Sequence, residues 1–381
     1  MDFRFTDEEE AFRQEVREFL AREVSQEIRQ EALESAGLGL GVHCRAFLRK
    51  LGERGWLGID WPPEYGGQGR SIVYCFILYE ELGYARGPWA GVGATIAGPT
   101  LLHLGNPKQK QDYLPRIARG EIEFTLGYTE PHAGSDLAAL EIRAVEQDSH
   151  YVMNGHKIFN TTGHYGDYHW LGARTDPAAP RHRGISLFIV DLRSPGITIS
   201  PIWTMAGFRT NAVYYDHVRV PKENLVGEKN KGFYHIMEAL DWERIYATGD
   251  LRHTLEELAG YIQQAGAPGC LRQRLAELAV EAEVARLLAL RVLWLLGKRV
   301  APPSEASMCK VFGDELRQRL SRAGMEVLGL YGQLRQGSPH ARLHGDMELL
   351  CRATVFSTIS AGTSEVMRNI VAMRGLGLPR E

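Results

Sequence analysis

FTLGYTEPHAGSDL, Phe124–Leu137, is where the chain changes period. Downstream of it, to about Val226, apolar residues come in short runs: Tyr151–Met153, Trp170–Ala173, Ile185–Val190 and Val213–Tyr215, cut by Gly, Asn, Asp and Pro. Such runs are strand signals, and their spacing suits a compact all-β unit. Upstream the period is helical. Thr6 and Glu9 form a capping box, and Phe12, Val16, Phe19 and Leu20 fall at i, i+4, i+7 and i+8 on one face. A Pro/Gly loop, WPPEYGGQG at Trp61–Gly69, precedes helical patterns over Tyr74–Leu82 and Lys108–Ile117. Beyond Gly232 the helical period returns, with Leu271–Gly297 and Glu315–Leu328 as long apolar-faced stretches and Ala265–Gly269 and Pro302–Ser304 as turns. The order α, β, α predicts an α+β multidomain chain divided at 1–122, 123–228 and 229–381.

Composition narrows the function classes. The 381 residues are 44% hydrophobic and 24% charged, and Lys+Arg 44 against Asp+Glu 47 leaves a net charge of −3, without the basic excess that nucleic-acid binding draws on. Five cysteines, far apart and never CxxC, suggest neither a disulfide framework nor a zinc cluster and fit a reducing cytoplasm. The acidic opening MDFRFTDEEE does not resemble an export signal, and the longest apolar stretch, Leu287–Leu296, is cut by Arg291 and too short to span a membrane.

Several chemistries lack their mechanical parts. GxGxxG, Walker A, HExxH and GxSxG sequences are all absent. His340 and His344 sit after Gly-Ser-Pro in a loop and read as a solvated pair rather than metal ligands. What remains is YTEPHAGSDL, a turn rich in backbone donors and short hydroxyls suited to a flavin or phosphate edge, followed by NGHKIFNTTGHYGDYHWLGART at Asn154–Thr175, where Phe159 stands two positions from Thr161.

Five segments in one order give these residues a context: WPPEYGGQG at Trp61–Gly69, YTEPHAGSD at Tyr128–Asp136, NGHKIFNTTG at Asn154–Gly163, DHVRVPKENLVG at Asp216–Gly227 and SAGTSEVMRNIVA at Ser360–Ala372. Over essentially its whole length the sequence resembles the acyl-CoA dehydrogenase family of flavoproteins. The resemblance implies an N-terminal helical domain, a middle β-barrel and a C-terminal four-helix bundle, with FAD between barrel and bundle and reaching a neighbouring subunit. It implies dehydrogenation of an acyl-CoA thioester to the trans-2-enoyl-CoA, with an α-proton removed, a β-hydride passed to flavin N5, and electrons then handed to an electron-transfer flavoprotein. By motif position Leu126, Tyr128, Thr129, Phe159 and Thr161 fall beside the flavin ring, Thr363 and Glu365 near the cofactor at the start of the last helix, and Ser135 on the acyl-CoA.

The sequence departs from that pattern where the family carries its base. A Glu usually precedes Gly-Thr in the last segment, and here the residue is Ala361. Some relatives carry the base in an ER dipeptide on a helix of the C-terminal domain, and ALDWERIYATG places Glu243 and Arg244 there. A base need only reach the proton with a pKa near working pH, so its origin in the chain is secondary. The plain alternative is a solvated Glu243 or one paired with an Arg. The family's thioester oxygen is held by a flavin ribityl hydroxyl and the backbone N–H at the Ala361 position, and an N–H survives loss of the side chain. The Arg-x-x-Phe-Gly run that reaches the FAD pyrophosphate of an adjacent subunit is also missing; Arg272 and Arg274 stand nearby, and the Gln-x-x-Gly-Gly segment appears as Glu326-Val-Leu-Gly329-Leu.

The expectation is an FAD-dependent acyl-CoA dehydrogenase, cytoplasmic, using Glu243 as base and the Ala361 N–H as oxygen donor, in a homotetramer or a heterotetramer with a related subunit. Two alternatives stand beside it: a non-catalytic or half-site subunit of a heteromer, and a family flavoprotein acting on a non-CoA substrate.

Overall fold

The computed structural model describes residues 3–35, 41–242, 247–266, 268–298 and 300–379. In chain order come helices α1 (Asp7–Glu23), α2 (Gln26–Glu34), α3 (Val42–Glu53), α4 (Ile72–Tyr84), α5 (Gly98–Leu104) and α6 (Pro107–Ala118). Strands follow: β1 (Phe124–Gly127), β2 (Arg143–Glu146), β3 (His150–Lys157), β4 (Tyr168–Arg174), β5 (Ile185–Asp191), β6 (Ile197–Trp203), β7 (Arg209–Pro221) and β8 (Leu225–Val226). The chain ends in α7 (Gly232–Trp242), α8 (Gly249–Ala265), α9 (Gly269–Gly297), α10 (Pro303–Leu328), α11 (Asp346–Ser357) and α12 (Ser364–Ile370). The α, β, α order read from the period is the order observed. Packing divides the chain into two compact units, Glu23–Cys75 with Gly87–Glu243, and Met1–Arg22 with Phe76–Arg86 and Arg244–Glu381.

The first unit is built on an eight-stranded sheet in the order β6-β7-β3-β2-β4-β5-β8, with β1 running parallel to β4. Its core gathers Leu140, just before β2, with Tyr151, Met153, Leu171, Phe188, Val190, Val213 and Val218 from the strands. In β3 the inward set is Tyr151, Met153 and Lys157, so strand alternation delivers a lysine to the interior. Against β3, β7 spends three residues where β3 spends two, between the Met153–Val218 and Gly155–Tyr215 pairs. The extra residue is absorbed at His217, which takes φ +52 and donates its N–H to Asn154 Oδ1 at 2.9 Å. Helix α6 starts from an Asn106–Gln109 capping box with Pro107 at its first position, and the Gln109 side chain donates to Glu223 O and Leu225 O at 2.8 and 2.9 Å.

Glu123 pins a second junction in this unit. Its Oε1 accepts the Gly93 and Phe124 N–H groups at 2.6 and 2.8 Å, tying the π-helical turn Gly93–Ala97 to the start of β1. Gly91 has φ +88, and a Cβ there would lie 2.0 Å from Glu123 Oε2.

The second unit holds the four-helix bundle α8–α11, closed over Leu251, Leu258, Ile262, Leu278, Ala285, Leu316, Leu320 and Met347. Helix α1 enters it through the predicted box, Thr6 N–H to Glu9 Oε2 at 2.8 Å and Glu9 N–H to Thr6 Oγ1 at 3.2 Å, and buries Phe12, Val16, Phe19 and Leu20. Helices α4 and α8 approach so closely that a Cβ on Gly249 would stand 1.9 Å from Glu80 O. Arg86 bridges Glu257 and Asp346, joining α4 to α8 and α11. One sequence expectation shifts here: Pro302–Ser304 is not wholly a turn, because α10 begins at Pro303, where a missing N–H costs a helix nothing.

Burial pushes the Glu123 carboxyl up to about 7. A carboxyl raised on folding stabilises fully below the usual carboxylate range, and that contribution is lost as pH rises through about 7. Glu123→Gln keeps the accepting oxygen and removes the titration. The urea midpoint of the unaltered protein is expected to fall between about pH 5 and 7 more steeply than that of the variant.

Candidate active site

A fully buried lysine organises the first set of candidate residues. Lys157 Nζ, at 0% exposure, donates to Tyr128 O at 3.0 Å and to Glu130 Oε1 at 2.8 Å. Glu130 in turn accepts the Glu141 and Ile142 N–H groups at 2.6 and 3.1 Å, so both carboxylate oxygens are engaged. Burial lowers the Lys157 amine to about 8, and the neighbouring Glu130 works against that fall. The loop 128–133 is closed on itself by reciprocal Glu130 and Ala133 backbone bonds at 3.0 and 3.1 Å, and Thr129 O accepts the Ile158 N–H at 2.9 Å. Tyr128 and Thr129 are therefore fixed to the end of β3, two residues from Phe159.

Phe159 is held in an unusual state. Its φ is +58 and the residue is 59% exposed, a left-handed backbone carrying a solvent-facing aromatic. The neighbours impose it. Asn160 N–H donates to Asn211 O at 3.0 Å, Asn160 Nδ2 to Leu126 O at 2.5 Å, and Asn211 Nδ2 back to Asn160 O at 2.7 Å. Arg209 Nε holds Asn211 Oδ1 at 2.8 Å, and Thr161 Oγ1 lies 3.3 Å from Thr210 Oγ1. Asn160 Oδ1 is buried with no hydrogen-bond partner within the protein. Leu126, Thr129 and Thr161 are half-buried around this network, and Ser135 is exposed on the loop that follows. An exposed aromatic beside half-buried hydroxyls and an orphaned acceptor fits the edge and face of a flat heteroaromatic group such as a flavin.

The second set lies in the other unit. Ala361 is exposed with φ +50, and Gly362 follows at φ +97 with a Cβ position only 2.4 Å from Met367 Cε. Thr363 caps α12 by accepting the Val366 N–H at 3.2 Å, and Glu365 is exposed in the first turn. Helix α12 has 7 residues, and its own Thr363 takes up one of its first N–H donors. Glu243, the candidate base, and Arg244, a candidate contact to the substrate, lie outside the described residues. Arg272 and Arg274 are both exposed on α9.

The structure thus groups Leu126, Tyr128, Thr129, Phe159 and Thr161 in one unit and Ala361, Thr363 and Glu365 in the other. Lys157, Glu130, Asn160 and Asn211 carry no role in the sequence reading. The signal for Lys157 was its place in the inward phase of a strand; nothing local marks Asn211. Among the described residues no group of three or more His, Cys, Asp or Glu side chains is placed to hold a metal ion, and no helix is long and apolar enough to cross a membrane.

Comparison with known proteins covers the whole chain. Residues 6–121, 125–218 and 230–376 match, respectively, the acyl-CoA dehydrogenase N-terminal, middle and C-terminal domains. Acyl-CoA dehydrogenase FadE26 of Mycobacterium tuberculosis is 39% identical over 100% of this chain and 99% of its own. FadE29 of the same organism is 36% identical over 98% of each. Among solved structures, the Tcur3481-Tcur3483 steroid ACAD superposes with a TM-score of 0.94 at 37% identity over 100% of both chains. The ChsE4-ChsE5 complex from Mycobacterium tuberculosis gives 0.91 at 39% identity, again over 100% of both.

Removing Lys157 alone leaves the Glu130 charge buried without its cation. Lys157→Met is expected to lose about 3–5 kcal/mol in chemical denaturation, and Lys157→Met combined with Glu130→Gln, which removes the charge and keeps an acceptor for the Glu141 and Ile142 N–H groups, to recover part of it.

Proposed function

The chain belongs to the acyl-CoA dehydrogenase family and is an acyl-CoA dehydrogenase; from that premise we propose that Glu243 is the base and that the substrate carries a bulky, steroid-like acyl group. The chain is divided for this purpose into an N-terminal domain, 1–122, a middle domain, 123–228, and a C-terminal domain, 229–381. The exposed Phe159 ring, held at φ +58 next to the loop that Lys157 anchors, is the observation that most favours a flavin at this site.

The family is a flavoprotein family, and what FAD supplies when bound is a two-electron acceptor, at N5, for the β-hydrogen. The protein's own groups have three tasks. Phe159 packs a flat ring, while Leu126, Tyr128, Thr129 and Thr161 define its edge, with Thr363 and Glu365 contributing near the cofactor. Ser135 and Arg244 bind the acyl-CoA. Glu243 takes the α-proton onto its carboxylate, and the Ala361 N–H donates to the thioester oxygen on which negative charge builds, leaving the trans-2-enoyl-CoA as product. Loss of the α-proton and the β-hydride together balances the two electrons gained by the acceptor.

Ala361 supports the relocated base. Its methyl group cannot accept a proton, yet its backbone retains a donor, and the run Ser360–Ala361–Gly362, exposed at its first two residues, is small. Small side chains there leave room for a large acyl group, and the steroid ACAD similarity points the same way. The missing Arg-x-x-Phe-Gly run favours a heterotetramer with a related subunit, as does the similarity to a two-component complex. A homotetramer holding FAD mainly by its flavin half is the alternative. An electron-transfer flavoprotein in the cytoplasm would accept the electrons.

The protein purified alone and with a co-expressed relative carrying the Arg run would be followed by visible absorption during anaerobic addition of short-chain, long-chain and steroid-side-chain acyl-CoA thioesters. Bleaching of flavin by the steroid-side-chain thioester supports the assignment; bleaching only by short linear chains overturns the substrate class. Glu243→Gln is expected to lower α-proton exchange by about 10²-fold or more with flavin retained. Unchanged exchange would remove Glu243 from the mechanism.

A further inference from the structure

Helix α10 carries a polar row through the bundle at Lys310, Asp314, Arg317 and Gln318, spacing that places all four on one side of the helix. Lys310 and Asp314 are only 4% and 6% exposed. Lys310 Nζ donates to Asp314 Oδ2 at 2.6 Å and to Ser357 O at 3.0 Å. Asp314 Oδ1 accepts Arg317 Nη1 at 3.4 Å. Arg317 then grips Asp250 through Nε and Nη2, at 2.6 and 2.9 Å, and reaches Ala247 O with Nη2 at 3.1 Å. Gln318 Nε2 donates to Thr354 O and to Thr358 Oγ1, both at 3.1 Å. Charges alternate along the chain Lys310, Asp314, Arg317, Asp250 and sum to zero.

Stability alone does not call for such a row. Burying charges is expensive, and well-packed apolar residues of similar volume do as well or better. What the row does that apolar side chains cannot is to hold backbone carbonyls in place. Ser357 O is the last carbonyl of α11, from which the chain enters the turn that contains Ala361. Within that turn Ile359 and Ser360 N–H groups both donate to Phe356 O at 2.9 Å, and Ser364 N–H donates to Thr358 O at 2.9 Å. Lys310 and Gln318 thus fix the entry to the turn by Ser357 O, Thr354 O and Thr358 Oγ1. The left-handed φ of Ala361, +50, is a strained state that persists where its flanks are held.

We propose that Lys310 is a positioning residue for the Ala361 N–H, with Asp314 and Arg317 as its footing on the entry to α8; this rests on the assignment of that N–H as the thioester oxygen's donor. An N–H displaced by a fraction of an ångström still lets acyl-CoA bind but stabilises less of the charge that develops on the oxygen.

A 3-thiaacyl-CoA, which can lose its α-proton but cannot be dehydrogenated, is the probe. Its carbanion beside oxidised flavin gives a long-wavelength charge-transfer band, whose pH midpoint reports how strongly the site stabilises the enolate. With the flavin-loaded protein, in complex with its related subunit where that is required, Lys310→Met is expected to raise the midpoint by about one unit or more and to lower kcat about tenfold or more. KM should stay within about threefold, and Lys310→Arg should recover part of both changes. A band in the unaltered protein whose midpoint does not move in Lys310→Met overturns the proposal and leaves the assignment of Ala361 standing. No band in the unaltered protein overturns that assignment itself, and the proposal with it. If Lys310→Met fails to hold flavin, Arg317→Lys breaks the paired grip on Asp250 while keeping the charge, and an unmoved midpoint in that variant overturns the proposal equally.

Discussion

The Lys157–Glu130 pair is the constraint on which the first set of site residues depends. An ammonium group with no exposure has to find acceptors inside the protein, and the nearest ones are Tyr128 O and the Glu130 carboxylate. Satisfying the lysine therefore fixes the backbone of the loop that carries Tyr128 and Thr129, while Glu130 spends its remaining capacity on the Glu141 and Ile142 N–H groups. The loop is held from both ends, without contributing a helix or a long strand of its own. A charge buried at this cost specifies geometry more than it adds stability.

Strain appears where chemistry is assigned. Seven described residues other than glycine have positive φ, and Phe159 and Ala361 are among them. In both cases the flanking chain over-determines the conformation: Asn160 and Asn211 lock one side of Phe159, and the closure of the 356–364 turn locks Ala361. Rigid flanks let a side chain or an N–H face a ligand without collapsing onto the protein. Asn160, Asn211 and Arg209 are engaged in this way, while Asn160 Oδ1 is buried with no hydrogen-bond partner within the protein.

Moving a catalytic base from one segment to another is chemically inexpensive if the oxygen-stabilising donor stays behind. A proton acceptor acts through its position and pKa, whichever helix brings it. A backbone N–H, by contrast, belongs to one turn and cannot be moved without moving the chain. On the proposed reading, with Glu243 as the base and the Ala361 N–H as the donor, that asymmetry gives the buried charge on α10, which holds the Ser357 carbonyl before the turn, a role in keeping the donor in place.

Much of the fold was written in local sequence. The α1 stripe, the capping box at Thr6, the alternation in β3 and the continuous apolar runs of β4 and β5 need only neighbours within a few residues, because helical and strand periods are set by backbone geometry. The segments around Tyr128, Phe159 and Ala361 carry no such period, and their reading came from the resemblance of five ordered motifs to a known family. What only the tertiary structure decided is which distant groups complete them. Lys157 meets Glu130 across 27 residues, Asn211 meets Asn160 across 51, and Lys310 meets Ser357 across 47. Those partners are chosen by sheet register and helix packing, which bring together acceptors and donors that no local pattern relates.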